Sequence, residues 1–395
     1  MRSKLFYIIL LGLIIRVFLN GFVKSNDADS FVLWAQYLAH NSIARLYEQV
    51  PGGYLPYPPL YYYILAPIGK AMEVFNLFGN HWLALLIVKM PVFIFEILTT
   101  FCIFEFTKKY VSKTNAIWSA AFYFLNPAIF LNTSVWGQID SIVIALVFGA
   151  IYFITENKYF LALGFVTLSL LFKLQSFSVT LLFAVWAYIS LKFSTIIKYS
   201  SVYLVVAFLM FAPVIATKGL RWTGSYFLNL PNQYPYTSVY AYNLFSIRGF
   251  LVSDKEKILN LLTYRDLGLL IFFTVSIFIC YTYIRKKTKN YGALVFATSL
   301  LFFAFFLFNS RMHSRYIIYT LGFIAPFALR FPFLAILMTL FVLLNLALPQ
   351  TAGSLAVLAS SLAEFNVRML VVAAETVTFF AALLIFIQKS FDREK

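Results

Sequence analysis

Residues 82–107 read WLALLIVKMPVFIFEILTTFCIFEFT, and the chain then turns at once to Lys108-Lys109. At about 1.5 Å per residue such a run, if helical, crosses a hydrocarbon core about 30 Å thick. Comparable runs, bounded by charge or by Pro/Asn clusters, fall at 5–22, 115–132, 139–155, 159–172, 176–190, 199–217, 267–284, 292–308, 316–329, 332–348 and 369–388. Together they predict an all-α polytopic bundle of about twelve spans, one integral-membrane domain over residues 1–395. Composition agrees, since 62% of the 395 residues are hydrophobic and 12% charged, against about 25% charged in a soluble domain. The first run follows Arg2 and Lys4 as a signal peptide would, but no small-residue cleavage site comes after it, so it reads as a retained helix.

The formal charge of +16 raises nucleic acid as a partner until it is sorted by side. With the amino terminus cytoplasmic, Lys108, Lys109, Lys113, Lys158, Lys192, Lys198, Arg285, Lys286, Lys287, Lys289 and Arg330 all fall in short connections on the cytoplasmic side. That is the asymmetry of a multi-pass cell-membrane protein with both termini inside, and nucleic acid need not be invoked. The long polar segments 23–81 and 218–266 then lie outside, which points function to the extracytoplasmic face. No phosphate-cradling glycine motif speaks for a cytoplasmic nucleotide. Cys102 and Cys280 sit alone in apolar runs and support neither a disulfide framework nor a thiolate metal site.

Polar residues at membrane edges carry the chemistry. After Asn26-Asp27-Ala28-Asp29-Ser30, the apolar positions Phe31, Trp34, Ala35 and Leu38 recur at helical spacing and predict an amphipathic helix on the membrane surface. Asn26, Asp27 or Asp29 either caps that helix or, at a boundary of falling dielectric, serves as a base toward a hydroxyl. Tyr57-Pro58-Pro59-Leu60 opens an aromatic-rich helix that suits an interface belt or a sugar site equally. Asn132-Thr133-Ser134-Val135-Trp136-Gly137-Gln138-Ile139-Asp140-Ser141 is too polar for a plain turn, and Asp140 is a membrane-edge acid. Lys173, near Gln175, is either a snorkelling anchor or a cation for a lipid phosphate. Asn309-Ser310-Arg311-Met312-His313-Ser314-Arg315-Tyr316 gathers two guanidiniums and an imidazole, groups that clamp phosphate oxygens. Arg368 is a weaker candidate of that type, and Lys218, Arg221 and Arg248 fit a solvated surface equally well.

In order along residues 20 to 320, these elements resemble the integral-membrane glycosyltransferases of the GT-C class. They are nearest to the prokaryotic proteins related to the second mannosyltransferase of GPI-anchor assembly and, more distantly, to the dolichyl-phosphate-glucose-dependent glucosyltransferases. The family's Asp seven residues before a Trp is matched by Asp27 and Trp34, its YPPL by Tyr57 to Leu60, its WGQxDS by Trp136 to Ser141, and its K-x-Q by Lys173 and Gln175. SVNAYNLW is matched by Ser238 to Phe245, with Tyr240 for the first Asn and Phe245 for the Trp, and RMHERY by Arg311 to Tyr316 with Ser314 for Glu.

The resemblance implies inverting transfer of a hexose, such as mannose or glucose, from a polyprenyl or dolichyl phosphate donor to a lipid-linked or protein-linked glycan acceptor on the outer face. Asp27 would be the catalytic base. Arg311, His313, Arg315 and Lys173 would bind the donor phosphate, and Asp29, Trp34, Tyr57, Trp136, Gln138, Asp140, Gln175 and Asn243 the substrates. No cofactor is expected. The D-x-D formed by Asp27 and Asp29 goes with a divalent metal in some members of the wider class, but the nearest relatives work without one. Two other classes fit the span pattern: a secondary transporter, for which Glu96, Glu105 and Glu375 are the mid-span acids, and a lipid-linked glycan polymerase or ligase.

Overall fold

A computed structural model describes residues 2–23, 25–49, 55–258, 260–286, 290–351 and 364–391. Lys287 and Lys289 of the cytoplasmic set, residues 24, 50–54 and 259 of the outer segments, and the carboxyl-terminal 392–395 lie outside the described residues. Among the described residues the chain is helical almost throughout. In order come α1 (Arg2–Leu19), α2 (Asn26–His40), α3 (Ile43–Glu48), α4 (Leu60–Val74), α5 (His81–Phe106), α6 (Ala116–Phe124), α7 (Pro127–Phe130), α8 (Asp140–Thr155) and α9 (Tyr159–Phe172). Then follow α10 (Phe177–Ser190), α11 (Phe193–Lys218), α12 (Leu220–Asn229), α13 (Tyr264–Arg285), α14 (Tyr291–Phe308), α15 (Tyr319–Ile324), α16 (Pro332–Thr351) and α17 (Phe365–Gln388). The described strands, β1 (Lys257–Ile258) and β2 (Leu262–Thr263), pair antiparallel with Lys257 opposite Thr263.

Among the described residues, five helices are long and apolar enough to cross a membrane, consistent with an integral-membrane protein: α5 with its π-helical extension to Val111, α11, α13, α14 and α17. Several of the other expected spans are shorter or interrupted helices. The apolar helices at 140–155, 159–172 and 174–190 are shorter, and sixteen residues rise only about 24 Å. The expected span 115–132 is broken, because α6 stops at Phe124 ahead of Asn126-Pro127 and a π-helical turn covers Leu131–Val135. Proline has no N–H to continue the ladder and disfavours helical geometry in the residue before it. Residues 316–329 are likewise divided, into a 3-10 turn over Ser314–Ile318, α15, and another 3-10 turn over Ala325–Phe327.

The chain forms two compact units, each assembled from separated segments. Unit 1 comprises Met1–Thr100, Ile129–Ser176 and Leu191–Leu230; unit 2 comprises Phe101–Ala128, Phe177–Ser190 and Pro231–Lys395. In unit 1, α2 packs along α4. A Cβ on Gly69 would collide with the Ala35 carbonyl oxygen, so only glycine permits that crossing. Phe31, Trp34, Ala35 and Leu38 are all buried in the core of this unit. The amphipathic face expected to lie on lipid is thus covered by protein. α8 is buried nearly all round, as its uniformly apolar sequence requires. In unit 2, α14 has the same character, and α10, α13, α15 and α17 pack against it.

Candidate functional site

The site in unit 1 begins with a cap. Ser25 accepts a hydrogen bond from the Ala28 N–H at 3.4 Å, so the N-cap is Ser25 and not Asn26, Asp27 or Asp29. The same hydroxyl donates to the Trp136 carbonyl at 2.6 Å, which docks the Trp136 turn onto the start of α2. Asp27, in the first turn and half-buried, is thereby released from capping. Its Oδ2 accepts from Trp136 Nε1 at 2.9 Å and from Gln138 Nε2. Between those donors Gly137 has φ +79°, and a Cβ there would meet Ala28 Cβ at 2.6 Å and Lys89 Cε at 3.2 Å. Glycine is needed both for the backbone conformation and for the close approach. Beneath the turn, the buried Lys89 ammonium donates to Asn20 Oδ1 at 3.1 Å and to the Ser134 carbonyl at 2.7 Å. Gln138 Oε1 is buried and has no hydrogen-bond partner among the described residues.

Asp29 turns elsewhere, 3.4 Å from His81 Nε2, so the two carboxylates of the D-x-D engage different partners. No cluster of three or more His, Cys, Asp or Glu able to hold a metal is found among the described residues.

Four more of the expected residues join this unit's core. Lys173, ending α9, donates to Asp140 Oδ1 at 2.5 Å, with both side chains buried. Asn132 Nδ2 lies 3.4 Å from the other Asp140 oxygen. Lys173 is therefore neither a snorkelling anchor nor a solvent-facing phosphate cation; it neutralises Asp140. Its ammonium also stands 5.7 Å above the Tyr57 ring. Tyr57 is held in turn by a 2.8 Å hydrogen bond from Tyr47 OH to its carbonyl, and burial pushes the Tyr47 phenol well above its ordinary range. Trp34 meets Tyr57 and Tyr62 edge-on within the same aromatic core. Trp34 and Tyr57 are thus packing residues that hold α2 and α4 together, not exposed sugar platforms. Gln175 is half-buried in the 3-10 turn Leu174–Ser176. The mid-span acid Glu96 is ion-paired with Arg16 at 2.6 Å and accepts from Ser141 Oγ at 2.8 Å. Unit 1 therefore brings together Asp27, Trp34, Tyr57, Trp136, Gln138, Asp140 and Lys173.

Unit 2 holds the remaining candidates, and it treats them unequally. Arg311, at φ +64°, donates from Nε to the buried Asp254 at 2.5 Å, and from Nη1 to Asn232 Oδ1 at 2.6 Å and the Pro231 carbonyl at 3.1 Å. Its charge is matched inside the protein, so the expected phosphate role does not fit it. His313 and Arg315 differ: both are half-buried, with Arg315 Nη1 2.9 Å from His313 Nε2. A guanidinium only donates, so Nε2 accepts and the imidazole proton sits on Nδ1, 3.4 Å from Ser314 Oγ. A guanidinium beside an imidazole is a pairing whose chemistry suits an anion. Asn243 is fully buried; it caps the 3-10 turn Leu244–Ile247 and donates to the Asn309 carbonyl at 2.6 Å, which makes it a structural tie. Arg368 lies over the Phe250 ring at 5.3 Å and Arg248 pairs with the exposed Glu256.

Sequence reasoning missed Ser25, Lys89, Asn20 and Asp254. Lys89 did carry a signal, being a charge inside an apolar run. The others are ordinary polar residues whose partners lie far along the chain. Compared with known proteins, the chain matches no family model and no curated relative.

Proposed function

We propose that the chain is a GT-C-class membrane glycosyltransferase. It moves a hexose, mannose or glucose, from a polyprenyl or dolichyl phosphate to a lipid-linked or protein-linked glycan, with inversion and without a metal. The termini are cytoplasmic and the chemistry extracytoplasmic, in keeping with the distribution of Lys and Arg. The observation that carries the reading is the convergence of Trp136 and Gln138, 109 and 111 residues away, on one oxygen of Asp27. Two N–H donors on Oδ2 hold the carboxylate in a single orientation, as a base must be held to meet a hydroxyl productively.

In the step proposed, the acceptor hydroxyl oxygen bonds to the anomeric carbon while the bond from that carbon to the phosphate oxygen breaks. The electron pair leaves with the lipid phosphate, and the hydroxyl proton passes to Asp27. A phosphate that departs as an anion needs cationic donors more than a general acid. Within the Arg311–Tyr316 element, Arg315 and His313 are assigned to it, and Arg311 is not. Gln138 orients Asp27 directly, while Asp140 is tied to Lys173 and Asn132 in the same unit.

The test is transfer by the purified protein in detergent, given a synthetic polyprenyl-phosphate hexose and a labelled glycan acceptor. Released lipid phosphate and a product of inverted anomeric configuration are expected. An intact donor, together with uptake of labelled solute by protein-loaded vesicles, would favour the transporter class instead.

A further inference from the structure

Glu375 lies in the middle of the apolar helix α17, fully buried, and none of the chemistry proposed above uses it. Its Oε1 accepts from Asn345 Nδ2 on α16 at 2.9 Å, and its Oε2 has no hydrogen-bond partner among the described residues. Asn345 is also fully buried. Its Nδ2 lies 3.0 Å from the Phe341 carbonyl one turn back, and its Oδ1 accepts the backbone N–H of Tyr242 at 2.9 Å. A buried carboxyl and amide are costly to place in an apolar span unless each bond serves something. Here the bonds end on the backbone of an irregular loop.

That loop leads directly to the His313–Arg315 edge. Beside Tyr242, Asn243 donates to the Asn309 carbonyl. Val239 N–H donates to the Met312 carbonyl at 2.9 Å, Ser314 N–H donates to the Val239 carbonyl at 3.2 Å, and His313 bridges both Val239 and Tyr240. Tyr240 itself is held at φ +57°, a backbone conformation that needs support from its surroundings. The apolar side of the loop packs against Val371 and Val372 of α17 through Tyr242. The charged groups near this point are Glu375 and Arg368; burial first and then Glu375 push the Tyr242 phenol up to about 12, with Arg368 opposing.

We propose that Asn345 and Glu375 are positioning residues for the His313–Arg315 edge: through the Tyr242 N–H they fix loop 238–245, and the loop in turn fixes the backbone that carries His313. This rests on the phosphate role proposed for that edge, but the anchor itself can be read without it.

The experiment reverses the polarity of the buried pair. Asn345→Asp keeps an acceptor for Tyr242 but sets two carboxyls face to face, whereas Asn345→Asp combined with Glu375→Gln restores one donor and one acceptor. Two quantities are measured on purified protein: affinity for a short-chain polyprenyl phosphate per folded molecule, and amide hydrogen exchange across 236–245 and 309–316. Asn345→Asp is expected to weaken affinity about tenfold, the scale of one lost buried hydrogen bond, and to speed exchange in both segments, with both effects reversed in the double variant. Should Asn345→Asp not yield folded protein, recovery of folding in the double variant shows the rescue, and Asn345→Ala supplies the affinity comparison. Unchanged exchange in the single variant, or no recovery in the double, overturns the proposal. If exchange follows the swap but even the unaltered protein binds no lipid phosphate, the anchor stands and the phosphate reading falls.

Discussion

The Asp27 site of unit 1 and the Arg311–Tyr316 loop of unit 2 handle motif charges in opposite ways. Around Asp27, Trp136 and Gln138, from a distant part of the chain, both donate to one oxygen of a half-buried carboxylate. In the loop, the most prominent cation is neutralised by a buried partner, and His313 and Arg315 remain at the half-buried edge. Asp140 and Lys173 side with Arg311, since they are charged residues of a motif that spend their charge on each other. The difference teaches that a charged motif residue acts on a ligand only where burial and partners leave it to do so.

The largest effect should come from breaking the buried pair. Lys173→Met leaves Asp140 buried without its cation and should cost about 3–5 kcal/mol of stability, read as a lower melting temperature; adding Asp140→Asn should recover much of it. Retention of full stability in the single variant would break the comparison at its firmest point.

Next is the contrast inside the loop. Arg311→Ala strands the buried Asp254 and should destabilise by about 2–4 kcal/mol, while folded molecules keep their affinity for polyprenyl phosphate. Arg315→Ala should change stability by less than about 1 kcal/mol yet weaken that affinity about tenfold or more. The reverse pattern would exchange the roles of the two arginines.

A smaller change in stability is expected at Gly137. Alanine there must adopt a positive φ and crowd Ala28, at a cost of roughly 1–3 kcal/mol. Because the crowding falls between Trp136 and Gln138, transfer should drop by more than the loss of folded protein explains. Equal losses would mean that the turn only supports the fold.

Much of this was legible in the sequence, though unevenly. The α2 face, the YPPL helix start and the polar character of Trp136–Ser141 could be read because local periodicity and proline chemistry fix them. The partners could not: nothing local links Lys173 to Asp140, Arg311 to Asp254, or Glu96 to Arg16. Continuity was less legible than apolar length, because hydropathy registers length alone and Pro127 interrupts an otherwise apolar run. The cap was misassigned for a related reason. Ser25, Asn26, Asp27 and Asp29 all suit an N-cap, and only the docking of Ser25 on Trp136 decides among them.

Asp27→Asn tests the account most directly. The amide is nearly isosteric, so the variant should express and fold like the unaltered protein, bind polyprenyl phosphate as well, and transfer no measurable hexose from synthetic lipid-phosphate donors. Full transfer by that variant would contradict the assignment of Asp27 as the base, and with it the meaning given to the convergence of Trp136 and Gln138.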